Sequence, residues 1–495
     1  MVIFLISIYK KGVAVKRHPF FKFIPMHQRN ISLDALRGFA ILSMVLSGSI
    51  AFGDVLPAWM YHAQVPPPDH MFNENIAGIT WVDLVFPFFL FSMGAAIPMA
   101  LNKQVQNNRS FLHIFWIAAR RFLLLAFFAL FLEHMKPWEQ AAQPAAKEYL
   151  LSIAAYGLLF FQLYQNKNER KRKLFAGLKI VAFIGGLALL YFLPFSGNGF
   201  KFTNSDIIII VLANMAFVGT LIWWLTKTNV WLRVGLLLFI MAVFLASKEV
   251  NGGWAKALYQ FSHVGSFKFD WLYQFYFLKY LFIIIPGTIA GECFLKFNNS
   301  DASPAKMHFN ELLIGLLSFA LVITNTIFLF TRELLLNLAA TALLISIVYV
   351  LIKKSGKKKH SLVTHFFKAG AFLLILGLFF EAYEGGIKKD HSTYSYYFVT
   401  SGLAFFILIA FNSLAQFKIG TVICNYLSLN GRNPMLAYVT GSLLLLPVMQ
   451  LTGMTAVFDS MNSNAWLGFL KGVLFTGIVS LITVFCTKRG WFWKT

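Results

Sequence analysis

His62 and Asp83 are the residues of this 495-residue chain whose types and setting best suit proton-transfer chemistry. His62 lies in Tyr61-His-Ala63 and Asp83 in Gly78-Ile-Thr-Trp-Val-Asp-Leu-Val-Phe-Pro87, on either side of a polar loop. A neutral imidazole takes a proton from an amine or hydroxyl near neutral pH, and a carboxylate can orient it and stabilise the imidazolium. The expected roles are therefore His62 as base and Asp83 as orienter. His70, after Pro66-Pro-Pro-Asp69, is a rival base, which a stiff extended triple proline would hold away from the helix. Two plainer readings stand beside these: a solvated loop histidine, and a helix-start carboxylate stabilised by the helix dipole.

A second set of residues suits an anionic ligand. Asp34 and Arg37 sit at i and i+3 where the first apolar run begins, and Arg120 and Arg121 stand at the start of the third. Asn430, Arg432 and Asn433 precede Pro434 at the start of the thirteenth. Arginine and amide side chains at one membrane face can hold phosphate. A helix-start ion pair, positive-inside anchoring and an N-cap at Asn433 are the structural alternatives.

The elements that must position these groups are apolar helices. Hydrophobic residues make up 58% of the chain and charged residues 13%, with a mean hydropathy of +0.66. Such a surface excludes a water-soluble domain and predicts an all-α, polytopic helical bundle. Apolar runs of about 17–25 residues fall near 35–52, 81–101, 114–133, 149–164, 175–194, 205–225, 230–247, 274–295, 310–330, 333–352, 364–382, 394–415, 433–451 and 466–486. Some are short or split, as at Thr331-Arg-Glu333, so the expected count is about 11–14 spans. They form one transmembrane domain, 34–495, after a basic leader, 1–33.

The formal charge of +23 lies between spans, where it signals topology and excludes a nucleic-acid surface. With the N-terminus inside, inner segments hold roughly 26 Lys and Arg against about 9 outside. Both termini are then predicted to be cytoplasmic, and the His62 loop to face the other side. The clusters Lys167–Lys173 and Lys353–Lys359 fall inside. Three isolated cysteines and the lack of any zinc signature leave no expected metal. A P-loop and a Gly-x-Ser-x-Gly elbow are also missing.

Ser32-Leu-Asp-Ala-Leu-Arg-Gly-Phe-Ala40, His62-Ala63, Gly78-Ile-Thr-x-x-Asp83-Leu-Val-Phe-Pro87 and Met93-Gly94 closely resemble the heparan-alpha-glucosaminide N-acetyltransferase family and its bacterial relatives. Asn433-Pro-Met-Leu-Ala-Tyr-Val439 is similar to a late segment of that family, and Ile285-Pro286 to Gly291-Glu292 more weakly to another. The resemblance covers about 65 residues at the front and about 15 near the end; the rest matches only in hydropathy. It implies a polytopic enzyme that moves an acetyl group from cytoplasmic acetyl-CoA, as co-substrate, to the amine of a glucosamine across the membrane. It also implies that His62 is the active-site histidine and that Arg37, Arg120 and Asn433 meet the coenzyme. Gly48 stands where the family has a catalytic asparagine, and an insertion separates His62-Ala63 from Gly78.

The expected function is a multi-pass acyltransferase of a bacterial inner membrane that acetylates an amino sugar or glycan on the periplasmic side. A secondary transporter of small sugars or cell-wall fragments is the alternative. Its partners would be the bilayer and the glycan acceptor, with a homodimer left open.

Overall fold

The computed structural model describes residues 30–165, 169–196, 199–249, 251–264, 267–297, 309–355 and 361–494. The expected leader lies outside these residues except at its end, as do parts of the two basic clusters. Every apolar run becomes a helix. In chain order they are α1 (Ile31–Ser47), α2 (Trp81–Gln106), α3 (Phe111–His134), α4 (Ala146–Leu163), α5 (Arg172–Phe192), α6 (Ile207–Thr226) and α7 (Val230–Lys248). Then come α8 (Leu281–Phe297), α9 (Phe309–Thr331), α10 (Leu334–Lys354), α11 (Leu362–Glu384) and α12 (Tyr394–Leu414). The chain ends with α13 (Lys418–Gly431), α14 (Pro434–Leu451) and α15 (Ala465–Lys488).

Among the described residues, twelve helices are long and apolar enough to cross a membrane; the α8 span includes a 3₁₀ lead-in from Phe275. The 17-residue α1 and α4, with Lys147 and Glu148 in its first turn, fall outside that set. α13 was not expected as a span and is 14 residues long. α1 starts at Ile31, ahead of the predicted 35, and stops at Ser47, ahead of the predicted 52. Asp34 and Arg37 consequently lie within its first two turns. The split at 331–333 is a turn between α9 and α10, in which Arg332 takes φ +65° and pairs with Glu381 at 2.5 Å.

Small residues decide which helices meet. In lipid, helices gain little from hydrophobic burial against one another, so close backbone approach and packing must hold them together. On α8, Gly287-Thr-Ile-Ala-Gly291 lies against α2: a Cβ on Gly291 would come 2.2 Å from the Ala95 carbonyl oxygen. A leucine there would force α2 and α8 apart. The crossing of α1 with α13 is as tight, since a Cβ on Gly38 would meet the Leu427 carbonyl at 1.9 Å. α12 is buried along most of its length and forms the centre of the bundle. Between α7 and α8, Gly253–Gln260 forms a short amphipathic helix with Trp254 exposed and Tyr259 packed on Phe244 and Phe275.

Candidate functional site

Thr80 and Asp83 start α2 with a reciprocal cap. The Val82 amide donates to the Thr80 hydroxyl at 3.2 Å, while the Thr80 amide donates to Asp83 Oδ2 at 2.9 Å. The same oxygen accepts the Ala63 amide at 3.2 Å, and the Thr80 hydroxyl donates to the Tyr61 carbonyl at 2.6 Å. These bonds draw the His62 strand of the loop onto the first turn of α2. Tyr396, from central α12, donates to the Asp83 carbonyl at 2.7 Å and fixes that turn from behind. Asp83 thus caps the helix through Oδ2, and its Oδ1 is left to face His62.

His62 lies between two carboxylates. Its Nδ1 is 2.9 Å from Asp83 Oδ1 and its Nε2 is 2.5 Å from Asp390 Oδ2. The Gln64 amide also reaches Nδ1, at the longer distance of 3.3 Å, so the proton on Nδ1 belongs to the Asp83 contact. Asp390 is held by a reciprocal amide pair: Gln64 Nε2 donates to the Asp390 carbonyl at 2.8 Å, and the Asp390 amide donates to Gln64 Oε1 at 2.7 Å. Lys389 Nζ stands 3.8 Å from Asp83 Oδ1. Asp83 is fully buried, whereas the side chains of His62 and Asp390 are 16% and 45% exposed. The site therefore opens to solvent on the Asp390 side.

Burial pushes the His62 pKa down, but the hydrogen bonds its ring donates to Asp390 and Asp83 outweigh it and raise the imidazole above its ordinary value. Burial also disfavours the Asp390 carboxylate, yet His62, then Lys389 and His391, hold it below the usual range. Both contacts favour the imidazolium form, which the two carboxylates clamp. To act as a base it must lose its proton, and its Nε2 must part from Asp390. Because Asp390 is the half-exposed partner, it is the one that can move aside.

His70 is occupied elsewhere. The triple proline does not run extended: residues 67–69 form a turn, and the His70 amide donates back to the Pro66 carbonyl at 3.1 Å. This folds the imidazole under Tyr61, with ring centroids 4.5 Å apart, where the Gly53 amide donates to its Nε2 at 2.9 Å. With Nε2 an acceptor, Nδ1 donates to the Val65 carbonyl at 3.3 Å. His70 braces the loop and does not join His62.

At the opposite ends of the same helices the candidates separate. Arg37 contacts Ser92 Oγ at 3.4 Å, the Ser92 carbonyl at 3.2 Å, the Gly431 carbonyl at 3.4 Å and Asp34 at 3.3 Å, so it braces α1 against α2 and α13. Asn433 occupies the N-cap position of α14 without capping it. Its side chain bonds the Trp491 carbonyl at 2.8 Å and the Trp493 amide at 3.1 Å, pinning the C-terminal segment. Arg120 and Arg121 lie on different sides of α3, as neighbours on a helix must: Arg120 is exposed and within electrostatic reach of Lys179, Arg121 within reach of Arg37. Among the described residues, Arg121 Nε and Asn430 Oδ1 are buried with no hydrogen-bond partner. Arg432 stacks on Phe492 at 5.4 Å. Arg121 is the group here best able to meet an anionic ligand, whereas the open Oδ1 of Asn430 accepts from a donor such as an adenine amine, its Nδ2 being given to the Tyr426 carbonyl at 3.2 Å.

Sequence reasoning missed Asp390, Lys389 and Gln64. Asp390 is 328 residues from His62, so no local spacing could join them. The available signal was Lys388-Lys-Asp-His391, a charged tetrad in a short loop between two spans, on the face predicted to carry His62.

No curated protein matches the sequence. Residues 29–294, more than half of the chain, match the family model described as a domain of unknown function, DUF5009. The match includes His62, Asp83, Arg37 and Arg121 and stops short of Asp390 and α14. The chain belongs to the DUF5009 family.

Proposed function

We propose that this protein is a membrane-embedded acyltransferase that moves an acetyl group from cytoplasmic acetyl-CoA to an amino sugar or glycan on the far side. The observation that carries this reading is His62 held between Asp83 and Asp390 at the solvent-open mouth of α2. The resemblance of residues 32–94 to the heparan-alpha-glucosaminide N-acetyltransferases supports it, as does Arg121, whose Nε is buried without a hydrogen-bond partner midway along α3. Both termini are cytoplasmic in this reading, and the membrane is a bacterial inner membrane.

Asp83 orients the ring through Nδ1, and Asp390 yields Nε2 to the acceptor. The acetyl thioester supplies the activated acyl group. As the acceptor nitrogen bonds the carbonyl carbon, its proton passes to His62 and the electron pair of the broken C–S bond leaves with sulfur. General-base assistance of this kind contributes on the order of a hundred- to ten-thousandfold in rate. Arg121 and Asn430 would meet the coenzyme's phosphates or base, whereas Arg37 and Asn433 are committed to packing.

Purified protein incubated with labelled acetyl-CoA and a panel of amino sugars tests the reading. Transfer of label to one of them is expected, and its complete absence from a folded, detergent-stable preparation would count against enzymatic acetylation. Orientation has its own test. Cysteine at Met71, an exposed residue of the His62 loop, should react with an impermeant thiol reagent in intact cells. Reaction only after the membrane is opened would reverse the topology.

A further inference from the structure

A second cavity, of about 440 Å³, opens on the His62 face and shares no residue with the His62 site. It lies between the C-terminal ends of α1 and α3, the start of α6, and α14. Gly48, Trp138, Lys136, Asp206, Tyr438 and Ser442 give it its character. Its size falls within the range of small-ligand pockets.

Three features set it apart from a packing void. First, its α14 wall is π-helical: Thr440–Leu445 carries Gly441 and Ser442 into the lining. Turns of this kind are rare and concentrate at functional sites. Second, Gly48 leaves room, since a Cβ there would meet only carbonyls of its own helix, at 3.8 Å and beyond. Third, its charges do not cancel. Lys136 is neutralised by Glu133 at 2.6 Å, while Asp206 is nearly buried and has only neutral donors. One oxygen accepts the Tyr438 hydroxyl at 2.7 Å and the other the Ile209 amide at 3.1 Å. A carboxylate has about four acceptor sites, so further donors can be taken. Trp138, 45% exposed, supplies an aromatic face beside it.

An aromatic face next to a carboxylate, an ammonium and hydroxyls suits a ring that is apolar on one side and rich in hydroxyls at its rim. Asp206, held by the N-terminus of α6 and by neutral donors, keeps acceptor sites that favour a positive substituent. We infer that this cavity binds a saccharide unit, with preference for one bearing a free amine. It would hold a sugar apart from the unit at His62. The inference does not depend on acyl transfer, because binding is read without coenzyme.

Full-length protein in nanodiscs is titrated calorimetrically with glucosamine and with N-acetylglucosamine. Wild type and His62→Ala should both bind glucosamine, about fivefold or more tighter than the acetylated sugar. Gly48→Leu, which fills the cavity, and Trp138→Ala, which removes its aromatic face, should each weaken binding by roughly tenfold. Melting temperatures check that each variant is folded; if Gly48→Leu is not, Trp138→Ala decides. No binding by wild type at millimolar sugar, equal affinity for the two sugars, or unchanged binding by the folded variants would overturn the inference.

Discussion

The two ends of α1 and α2 hold polar groups in opposite ways. On the His62 face the backbone does the holding: amides of Thr80 and Ala63 saturate one oxygen of Asp83, and the Gln64–Asp390 amide pair positions the second carboxylate. His62 is left as the hub between two carboxylates at a solvent opening. On the arginine end, side chains are spent on holding helices together. Arg37 bridges three helices and Asn433 pins the C-terminal segment, whereas Arg121 Nε and Asn430 Oδ1 are buried without a hydrogen-bond partner. A polar residue at a membrane face is thus available for chemistry only when something else has taken over its structural work.

The sharpest break of this comparison is His62→Ala. Acyl transfer should fall by on the order of a hundred- to ten-thousandfold, with coenzyme binding little changed, as read by single-turnover kinetics and coenzyme titration. Next come the two arginines, which should part company. Arg121→Ala should raise the Michaelis constant for the coenzyme by about tenfold through loss of a charge-assisted contact, at nearly constant melting temperature. Arg37→Ala should instead lower stability by about 2–3 kcal/mol, seen as a depressed melting temperature. If Arg37→Ala leaves stability intact and alone weakens the coenzyme, the assignment of work at that end is inverted.

Asp390→Asn sharpens the other end through pH. With the His62 pKa raised, the base form appears only as pH climbs through a value above 6.5, so the wild-type rate should rise across that region. Removing the Asp390 carboxylate withdraws a hydrogen-bond acceptor that stabilises the imidazolium, and the rising limb should move to lower pH. Stability follows the same linkage. The His62 contribution is complete below about pH 6.5 and fades as pH rises through the raised value. That of Asp390 persists above about pH 3.8 and is lost as pH falls through its lowered value. A pH–rate profile identical in wild type and Asp390→Asn would mean that the carboxylate is a bystander. The smallest effect on activity is expected from His70→Ala, within a few-fold of wild type, at a stability cost of about 1–3 kcal/mol from the orphaned Gly53 amide.

How much of this was legible in the sequence follows from the range of each interaction. The helices were readable because hydropathy is local, and α1 was misplaced by a few residues because Gly48 and Ser49 end it before the apolar run stops. Asp83 was readable since its partners Thr80 and Ala63 lie within a capping box and one loop. Asp390 was not, because only the packing of α12 against α2 brings its loop to His62. Arg37 misled for the converse reason: its motif shows a charge beside phosphate-friendly neighbours, but not the Gly38–Gly431 crossing that occupies it. The triple proline misled too, since polyproline propensity gave way to a turn that sets His70 edge-on to Tyr61.

The central claim is that His62 transfers an acyl group between compartments, and proteoliposomes test it most directly. Labelled acetyl-CoA is supplied on the arginine side and glucosamine on the His62 side. Labelled N-acetylglucosamine is expected in the sugar compartment with wild type and almost none with His62→Ala. Sugar that crosses the bilayer unmodified, at equal rates in both proteins, would contradict it and mark the chain as a transporter.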